Sequence, residues 1–315
     1  MKRKILIAGA GKLGSRYLQG LAKFVEPLDI YVFDPSTESL GNAEQRWNEI
    51  QPAATHEVRY ELSLTTLPSI IDLAIISSTA DVRAKLIAEI ERQADIEYWV
   101  LEKVLAQSVA EIDSLRNILT GKLVWVNTPM YLWPLYSRLR QLYRSGAPIE
   151  ASFEGFSGLT CNAIHYIDFV SRFNGAPVTH VDTSDLNTEW YFAKRVGFYE
   201  IDGQITINFA DGSKLKLASN RNNPGYKVNI RIDGDDWQVS EASGTASAVD
   251  GRLIQGEVAT QSQLTAPLVQ AIFSGVPCGL PTLTESAQQH SFLLNALLEH
   301  WNRHMPNKIN RLPIT

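Results

Sequence analysis

An apolar run, Ile5-Leu6-Ile7-Ala8, passes directly into Gly9-Ala10-Gly11-Lys12-Leu13-Gly14, and twenty residues past Gly14 a second run, Ile30-Tyr31-Val32-Phe33, ends in Asp34. A G-x-G-x-x-G turn between strand and helix, followed by an acid at this distance, points to a dinucleotide-binding βαβ unit, with a bland glycine-rich turn as the alternative. Each glycine has a steric task. Gly9 permits the tight turn, Gly11 lets backbone N–H groups approach a pyrophosphate, and Gly14 lets the helix close onto the strand. Lys12 and Leu13 open the helix, whose unpaired N–H donors and positive dipole end meet the phosphates. Asp34 is placed to accept hydrogen bonds from an adenosine ribose. A carboxylate there favours a 2′-hydroxyl over a 2′-phosphate, and Pro35-Ser36-Thr37-Glu38 brings no Arg or Lys. NAD is therefore expected, with NADP the weaker candidate.

The alternation of strand-like and helix-like segments continues from this unit. Apolar spacing predicts helices over Ser15–Phe24 and Asp81–Gln93 and near Val109–Leu119, with strands at Leu73–Ile76, Tyr98–Leu101 and Leu123–Val126. Strands alternating with helices imply a doubly wound parallel sheet, a Rossmann domain over residues 1–125. The second half has another texture. Asp-Gly pairs at 202–203, 211–212, 233–234 and 250–251 stand beside alternating runs such as Ile205–Phe209, Lys214–Leu217 and Val228–Ile232. Such pairs suit hairpin turns that need positive φ. Helices are expected over Ala163–Phe173 and Thr284–His304. Residues 126–315 thus read as an α+β domain with a mainly antiparallel open sheet, its last helix packing back on the first domain across a cleft.

Composition narrows the class. A chain of 315 residues, 44% hydrophobic and 20% charged, with a formal charge of −5, has the balance of a globular protein. That charge offers no electrostatic case for binding nucleic acid or an anionic membrane. No apolar stretch reaches the roughly 18 residues of a membrane span. The apolar run after Lys2, Arg3 and Lys4 is too short for the hydrophobic region of a secretory signal. Cys161 and Cys278 make no disulfide framework and no metal spacing, so a cytoplasmic protein without a metal is expected.

The carboxyl ends of strands in such a sheet face the ligand crevice. Ser77, Ser78 and Thr79 follow one strand, Glu102 and Lys103 another, and Asn127 a third. Ser77, Ser78, Thr79, Glu102 and Asn127 are assigned to the cofactor, and Lys103 to the nicotinamide end. The alternative for Lys103 is a surface lysine paired with Glu102. A second candidate is Cys161-Asn162-Ala163-Ile164-His165-Tyr166-Ile167-Asp168. There Asn162 and His165, and Cys161 and His165, share a helix face, and Asp168 lies three residues beyond the imidazole. Histidine carries protons near neutral pH, although a lone helical histidine is more often structural. Tyr131 and Trp133 are candidate substrate-lining groups, with hinge packing as the alternative. Trp190, Tyr191 and Lys194 are weaker sugar-stacking candidates.

Four segments together resemble the glucose-fructose oxidoreductase / inositol dehydrogenase / MocA (Gfo/Idh/MocA) family. They are Gly9–Tyr17, Ser77–Arg83, Glu102-Lys103 and the His165 helix with Asp168, and the two-domain plan extends the likeness over essentially the whole chain. The resemblance implies NAD(P)-dependent hydride transfer between nicotinamide and a CH–OH or keto carbon of a sugar or sugar-derived substrate, including nucleotide-linked sugars. The segment Leu280–Trp301 is similar to members from bacterial surface-sugar pathways. The resemblance also implies that Lys103 assists proton transfer at the reacting oxygen and that His165 is a second acid/base or orienting group. Asn162 and Asp168 are expected at the substrate, and a homodimer or homotetramer is expected through the C-terminal sheet. Two residues depart from the pattern. Val104 replaces a proline whose bond to lysine is typically cis, and a cis bond before another residue costs about 2.5–4 kcal/mol, so Lys103 is expected to be presented differently. Cys161 replaces an aspartate, and Asn162 is its partial substitute. These departures keep a second reading open, a non-catalytic dinucleotide-binding regulator or scaffold. An imine or biliverdin reductase of similar architecture is a third.

Overall fold

The computed structural model describes residues 2–144, 146–222 and 225–315. In chain order the first elements are β1 (Arg3–Ala8), α1 (Lys12–Leu21), β2 (Leu28–Phe33), α2 (Thr37–Asn48), β3 (Glu57–Glu61), β4 (Ile70–Ile76) and α3 (Ala80–Gln93). Next come β5 (Asp95–Glu102), α4 (Val109–Ile118), β6 (Leu123–Asn127), α5 (Pro134–Arg140), β7 (Glu150–Phe156) and α6 (Leu159–Asn174). There follow β8 (Val178–Asp182), β9 (Leu186–Phe192), β10 (Tyr199–Phe209), β11 (Lys214–Ser219), β12 (Lys227–Ile232), β13 (Asp235–Ser240), β14 (Thr245–Ala248) and β15 (Leu253–Gln255). Two helices close the chain, α7 (Gln261–Phe273) and α8 (Leu283–His304).

The chain forms two compact units. The first runs from the N-terminus to Leu105 and adds Asp113–Asn127 and Ala259–Leu283; the second holds Ala106–Ile112, Thr128–Val258 and Thr284–Thr315.

The first unit is built on a six-stranded parallel sheet in the order β3-β2-β1-β4-β5-β6. Ile5, Leu6, Ile7 and Ala8 are wholly buried, as are Leu73 to Ile76. Uninterrupted apolar runs of this kind are what a sheet covered on both faces requires. The strand order reverses at β1, which β2 and β4 flank, because the chain crosses from β3 to β4, and ligands of such sheets sit outside the carboxyl ends at that point. Helix α1 begins at Lys12, three residues before the apolar spacing suggested, because the glycine turn feeds straight into it. Its buried face includes Tyr17, Leu18 and Leu21. Gly20 on the same helix lies against Thr265 of α7, whose Cβ stands 2.5 Å from where a Cβ on Gly20 would be. Thr260 and Gln263 form a capping box at the start of α7, a helix that apolar spacing did not single out.

The second unit is built on a nine-stranded sheet in the order β15-β14-β13-β12-β7-β11-β10-β8, with β9 also paired to β10. All its pairs are antiparallel except β7 with β11. The meander expected from the alternating runs is therefore split, since β7 inserts between β11 and β12. Three of the four Asp-Gly pairs turn hairpins as expected. The fourth does not. Asp202-Gly203 lies inside β10, where Gly203 (φ +114°) sits at the register shift against β9. A Cβ at Gly203 would approach the Asn187 nitrogen to 2.6 Å, so the glycine serves a bulge and a close backbone approach. Strand β12 alternates strictly between exposed and buried positions. The exposed row across the neighbouring strands includes Lys214, Lys216, Asn229, Arg231, Asp236 and Gln238.

Candidate functional site

In the first unit the glycine turn has the geometry its sequence implies. Gly9 adopts φ +106°, and its N–H donates to Phe33 O at 2.8 Å, tying the turn to the end of β2. A Cβ on Gly14 would collide with the Gly9 carbonyl and come within 2.7 Å of Ser77 Oγ, which leaves only glycine for this helix-to-strand approach. Gly11 differs. No described atom lies within 4 Å of its Cβ position, so the turn is open where an incoming group would approach the backbone. Lys12 is exposed and Leu13 half-buried in the first turn of α1. The Asp34 carboxylate reaches this turn directly. Its Oδ2 accepts from the Ala10 N–H at 2.7 Å and its Oδ1 from the Ser36 N–H at 2.9 Å.

Along the carboxyl edge of the sheet come the ends of β4, β5 and β6. Ser77 Oγ donates to Gly9 O at 2.7 Å, joining the loop after β4 to the glycine turn. Ser78 Oγ is buried with no hydrogen-bond partner among the described residues, and Thr79 precedes α3 as its N-cap residue. Glu102, at the end of β5, is almost wholly buried, and its Oε1 accepts from Tyr17 OH at 2.5 Å and from Asn127 Nδ2 at 2.6 Å. Asn127 also donates to Gln261 at 2.8 Å. Burial raises the Glu102 carboxyl above its usual range, against the lowering effect of Tyr17, Asn127, Lys103 and Arg83. Glu102 and Asn127, assigned to the cofactor, therefore spend their side chains on a buried network beneath this edge.

Lys103 is half-buried immediately after that network. The Lys103–Val104 peptide is cis. Arg83, 1% exposed on α3, donates to the backbone carbonyls of Ser78, Val104 and Leu105 and so joins the loops after β4 and β5. Burial pulls its pKa down to about 10, while Glu102 and Asp81 favour its charged form. Composition and motif reading missed Arg83 and Tyr17 as organisers of this edge. The signal was present in part, since Arg83, Ile87 and Ile90 share the buried face of α3.

In the second unit α6 starts at Leu159, after Gly158 (φ +84°), and is longer at its N-terminal end than the expected Ala163 start. Cys161, Asn162, His165 and Tyr166 are all half-buried, a reachable strip in the first half of the helix. Asn162 Nδ2 donates to Ser157 O at 3.3 Å. Asp168 turns away from the strip. It is wholly buried, and its carboxyl accepts from Thr128 Oγ1 at 2.8 Å and Gln289 Nε2 at 3.3 Å, tying α6 to the segment after β6 and to α8. Burial pushes its pKa up to about 6, against the lowering effect of Arg172, Thr128 and Gln289. The hydrogen bonds of Asp168 thus go to the interior of the second unit rather than to His165.

One acid from the sheet, Glu200, reaches the start of α6. Glu200 on β10 accepts the Thr160 N–H at 2.8 Å, with Cys161 also in hydrogen-bonding reach. Burial raises the pKa of Glu200. It brings a carboxylate to the turn where Cys161 has none, and no local spacing could reveal it. Tyr131 is half-buried with the Arg172 guanidinium 4.8 Å from its ring centre, and Trp133 stacks on Tyr136 at 6.0 Å. Trp190, by contrast, packs in the core against His300 and Trp301. Among the described residues no group of three or more His, Cys, Asp or Glu side chains is arranged to hold a metal ion. No helix among them is long and apolar enough to cross a membrane.

Neither a protein-family profile nor a curated protein matches this chain in sequence. Solved structures match its fold over nearly its full length. A UDP-N-acetylglucosamine 3-dehydrogenase from Acidithiobacillus ferrooxidans aligns over 94% of this chain and 97% of that one, with a TM-score of 0.71 and 15% identity. An oxidoreductase from Agrobacterium radiobacter, solved with NAD+, L-tartaric acid and magnesium, aligns over 96% and 97% with a TM-score of 0.72 and 13% identity. A biliverdin reductase from Synechocystis, solved with biliverdin and NADP+, aligns over 93% and 98% with a TM-score of 0.72 and 15% identity. At these identities the likeness is one of fold. The chain has the α/β architecture of these oxidoreductases, a parallel Rossmann-like sheet followed by a mixed, mostly antiparallel one. Since that architecture is found with NAD+ and with NADP+, and with ligands as different as tartrate and biliverdin, function rests on the side chains present.

Proposed function

We propose that the chain is an NAD-dependent oxidoreductase of the Gfo/Idh/MocA type, moving a hydride between nicotinamide and a hydroxyl or keto carbon of a sugar or sugar-derived substrate. The observation that carries this reading is the Asp34 carboxylate bonded to the Ala10 N–H, inside a turn whose Gly11 faces open space. The residues fit a dinucleotide. Gly9, Gly11 and Gly14 leave room for a pyrophosphate at the start of α1, and Ser78 Oγ is a buried hydroxyl without a partner among the described residues at the same edge. Bound NAD would supply the hydride acceptor, or NADH the donor.

The remaining work falls to the protein. Asp34 orients a ribose and disfavours a 2′-phosphate; a carboxylate offers about four acceptor sites, so its two backbone bonds leave room for ribose hydroxyls. Lys103 moves the proton at the substrate oxygen. His165 serves as a second acid/base or orienting group, and Asn162 as a hydrogen-bonding neighbour. In this proposal residues 1–125 hold the cofactor and 126–315 the substrate, with homo-oligomer formation through the exposed face of the second sheet and a cytoplasmic location.

Calorimetry with NAD, NADH, NADP and NADPH, followed by turnover on a panel of sugars, nucleotide sugars and cyclitols, tests the reading. NAD binding with turnover is expected. A preference for NADP overturns the role of Asp34. Tight NAD binding with no turnover across the panel favours the second reading, a dinucleotide-binding regulator, for which Cys161 in the place of an acid is the motivating observation.

A further inference from the structure

The second unit contains a carboxylate that neither the cofactor nor the α6 strip accounts for. Glu241 lies in the turn between β13 and β14. Its Oε1 accepts from Tyr136 OH at 2.6 Å and from Tyr226 OH at 3.0 Å. Among the described residues Oε2 accepts no hydrogen bond. Burial raises the Glu241 carboxyl above its usual range; the two phenols alone lower it, and no cationic side chain contributes. A half-buried carboxylate without a counter-charge favours an outside group that brings donors.

The surroundings are aromatic. Trp133 stacks on Tyr136 at 6.0 Å with 29° between the rings, and its indole N–H is buried without a partner among the described residues. Tyr136 therefore joins an unused donor, stacked on its ring, to an acceptor with unused capacity, bonded at its hydroxyl. Tyr166 lies near Tyr226 and follows His165 on the reachable strip of α6. A hydroxyl group both donates and accepts, and the C–H face of a sugar ring packs on an aromatic surface.

We propose that Glu241, Tyr226 and Trp133 form a recognition site for a sugar ring that offers hydroxyl or amino donors and carries no negative charge. The proposal rests on the sugar reading above and narrows its substrate class. The carboxylate accepts from ring hydroxyls or an amino group, Trp133 supplies the apolar face, and a carboxylate or phosphate on the same ring is repelled by Glu241.

Ligand-observed NMR on the full chain saturated with NADH, using D-glucose, D-glucosamine and D-glucuronate as probes, tests this without requiring turnover. Glucose and glucosamine are expected to bind, with glucuronate at least about tenfold weaker. Glu241→Gln keeps the shape and removes the charge. It is expected to weaken glucose and glucosamine by about tenfold and to erase the discrimination against glucuronate. Trp133→Leu is expected to weaken all three, and unchanged NADH affinity confirms that both variants fold. Glucuronate binding as tightly as glucose, unchanged discrimination in Glu241→Gln, or no binding of any probe overturns the proposal. Absence of turnover with these affinities intact overturns the oxidoreductase reading and leaves the recognition site standing.

Discussion

At the glycine turn the functional groups are backbone N–H donors placed by three glycines and one acid, whereas along α6 they are side chains whose partners arrive from β10, from α8 and from the segment after β6. The first arrangement is set within a span of about thirty residues, so a strand, a turn, a helix and a second strand suffice to build it. The second depends on Glu200, 40 residues from its partner Thr160, and on α8, 121 residues from its partner in α6. Substitutions at the two places should therefore fail differently. Losses at the turn and at Lys103 should appear in cofactor binding or chemistry, and losses in the buried networks around Glu102 and Asp168 in stability or its pH dependence.

The largest effect is expected from Lys103→Ala, which on the proposed role lowers turnover about 100- to 10,000-fold while NAD binding persists. Steady-state rates and calorimetry on one preparation check this, and full turnover by the variant removes Lys103 from the mechanism. Next is Asp168→Asn. Burial holds the folded carboxyl at about 6, against an ordinary 3.8. A raised carboxyl means that the unfolded chain ionises first, so this group's contribution to stability is present below about pH 4 and is lost as pH rises through about 6. The loss is on the order of 3 kcal/mol by proton linkage. Urea denaturation at pH 5 and pH 8 should show a smaller fall for Asp168→Asn than for the parent chain, and equal falls would contradict the buried, ionising state.

Tyr17→Phe is expected to cost about 1.5–3 kcal/mol, because it removes a donor to the buried Glu102 carboxylate. Denaturation midpoints measure it, and a change below experimental error would mean that Asn127 alone satisfies Glu102. The smallest effect is expected at the turn itself. Asp34→Ala should weaken NAD by about tenfold and narrow the gap between NAD and NADP, since the ribose acceptor and the repulsive charge leave together. An unchanged preference would place cofactor selection elsewhere.

Parts of the second region were legible beforehand. The shared exposure of Cys161, Asn162 and His165 follows from helical spacing alone, and three Asp-Gly hairpins follow from turn chemistry. The rest was not legible for identifiable reasons. Asp202-Gly203 has the same local chemistry as the other pairs, yet β9 and β8 meet β10 on either side of it and convert the turn signal into a bulge. Strand β7, with Gly155 in its run and a parallel neighbour in β11, shows neither clean alternation nor a hairpin partner in sequence. Asp168 reads as a neighbour of His165 in one dimension, while packing turns it to Thr128 and Gln289 in three.

The sequence by itself determined the glycine turn of this protein, because Gly9, Gly14 and Asp34 act through steric room and local hydrogen bonds that any correct βαβ unit supplies. Tertiary structure alone decided the other end. Only the order of strands in the second sheet brings Glu200 to the start of α6, and only the packing of α5 against the β13–β14 turn gives Tyr136 and Glu241 one hydrogen bond. These contacts join residues far apart in the chain, and sheet register and packing select them with no local pattern to announce them.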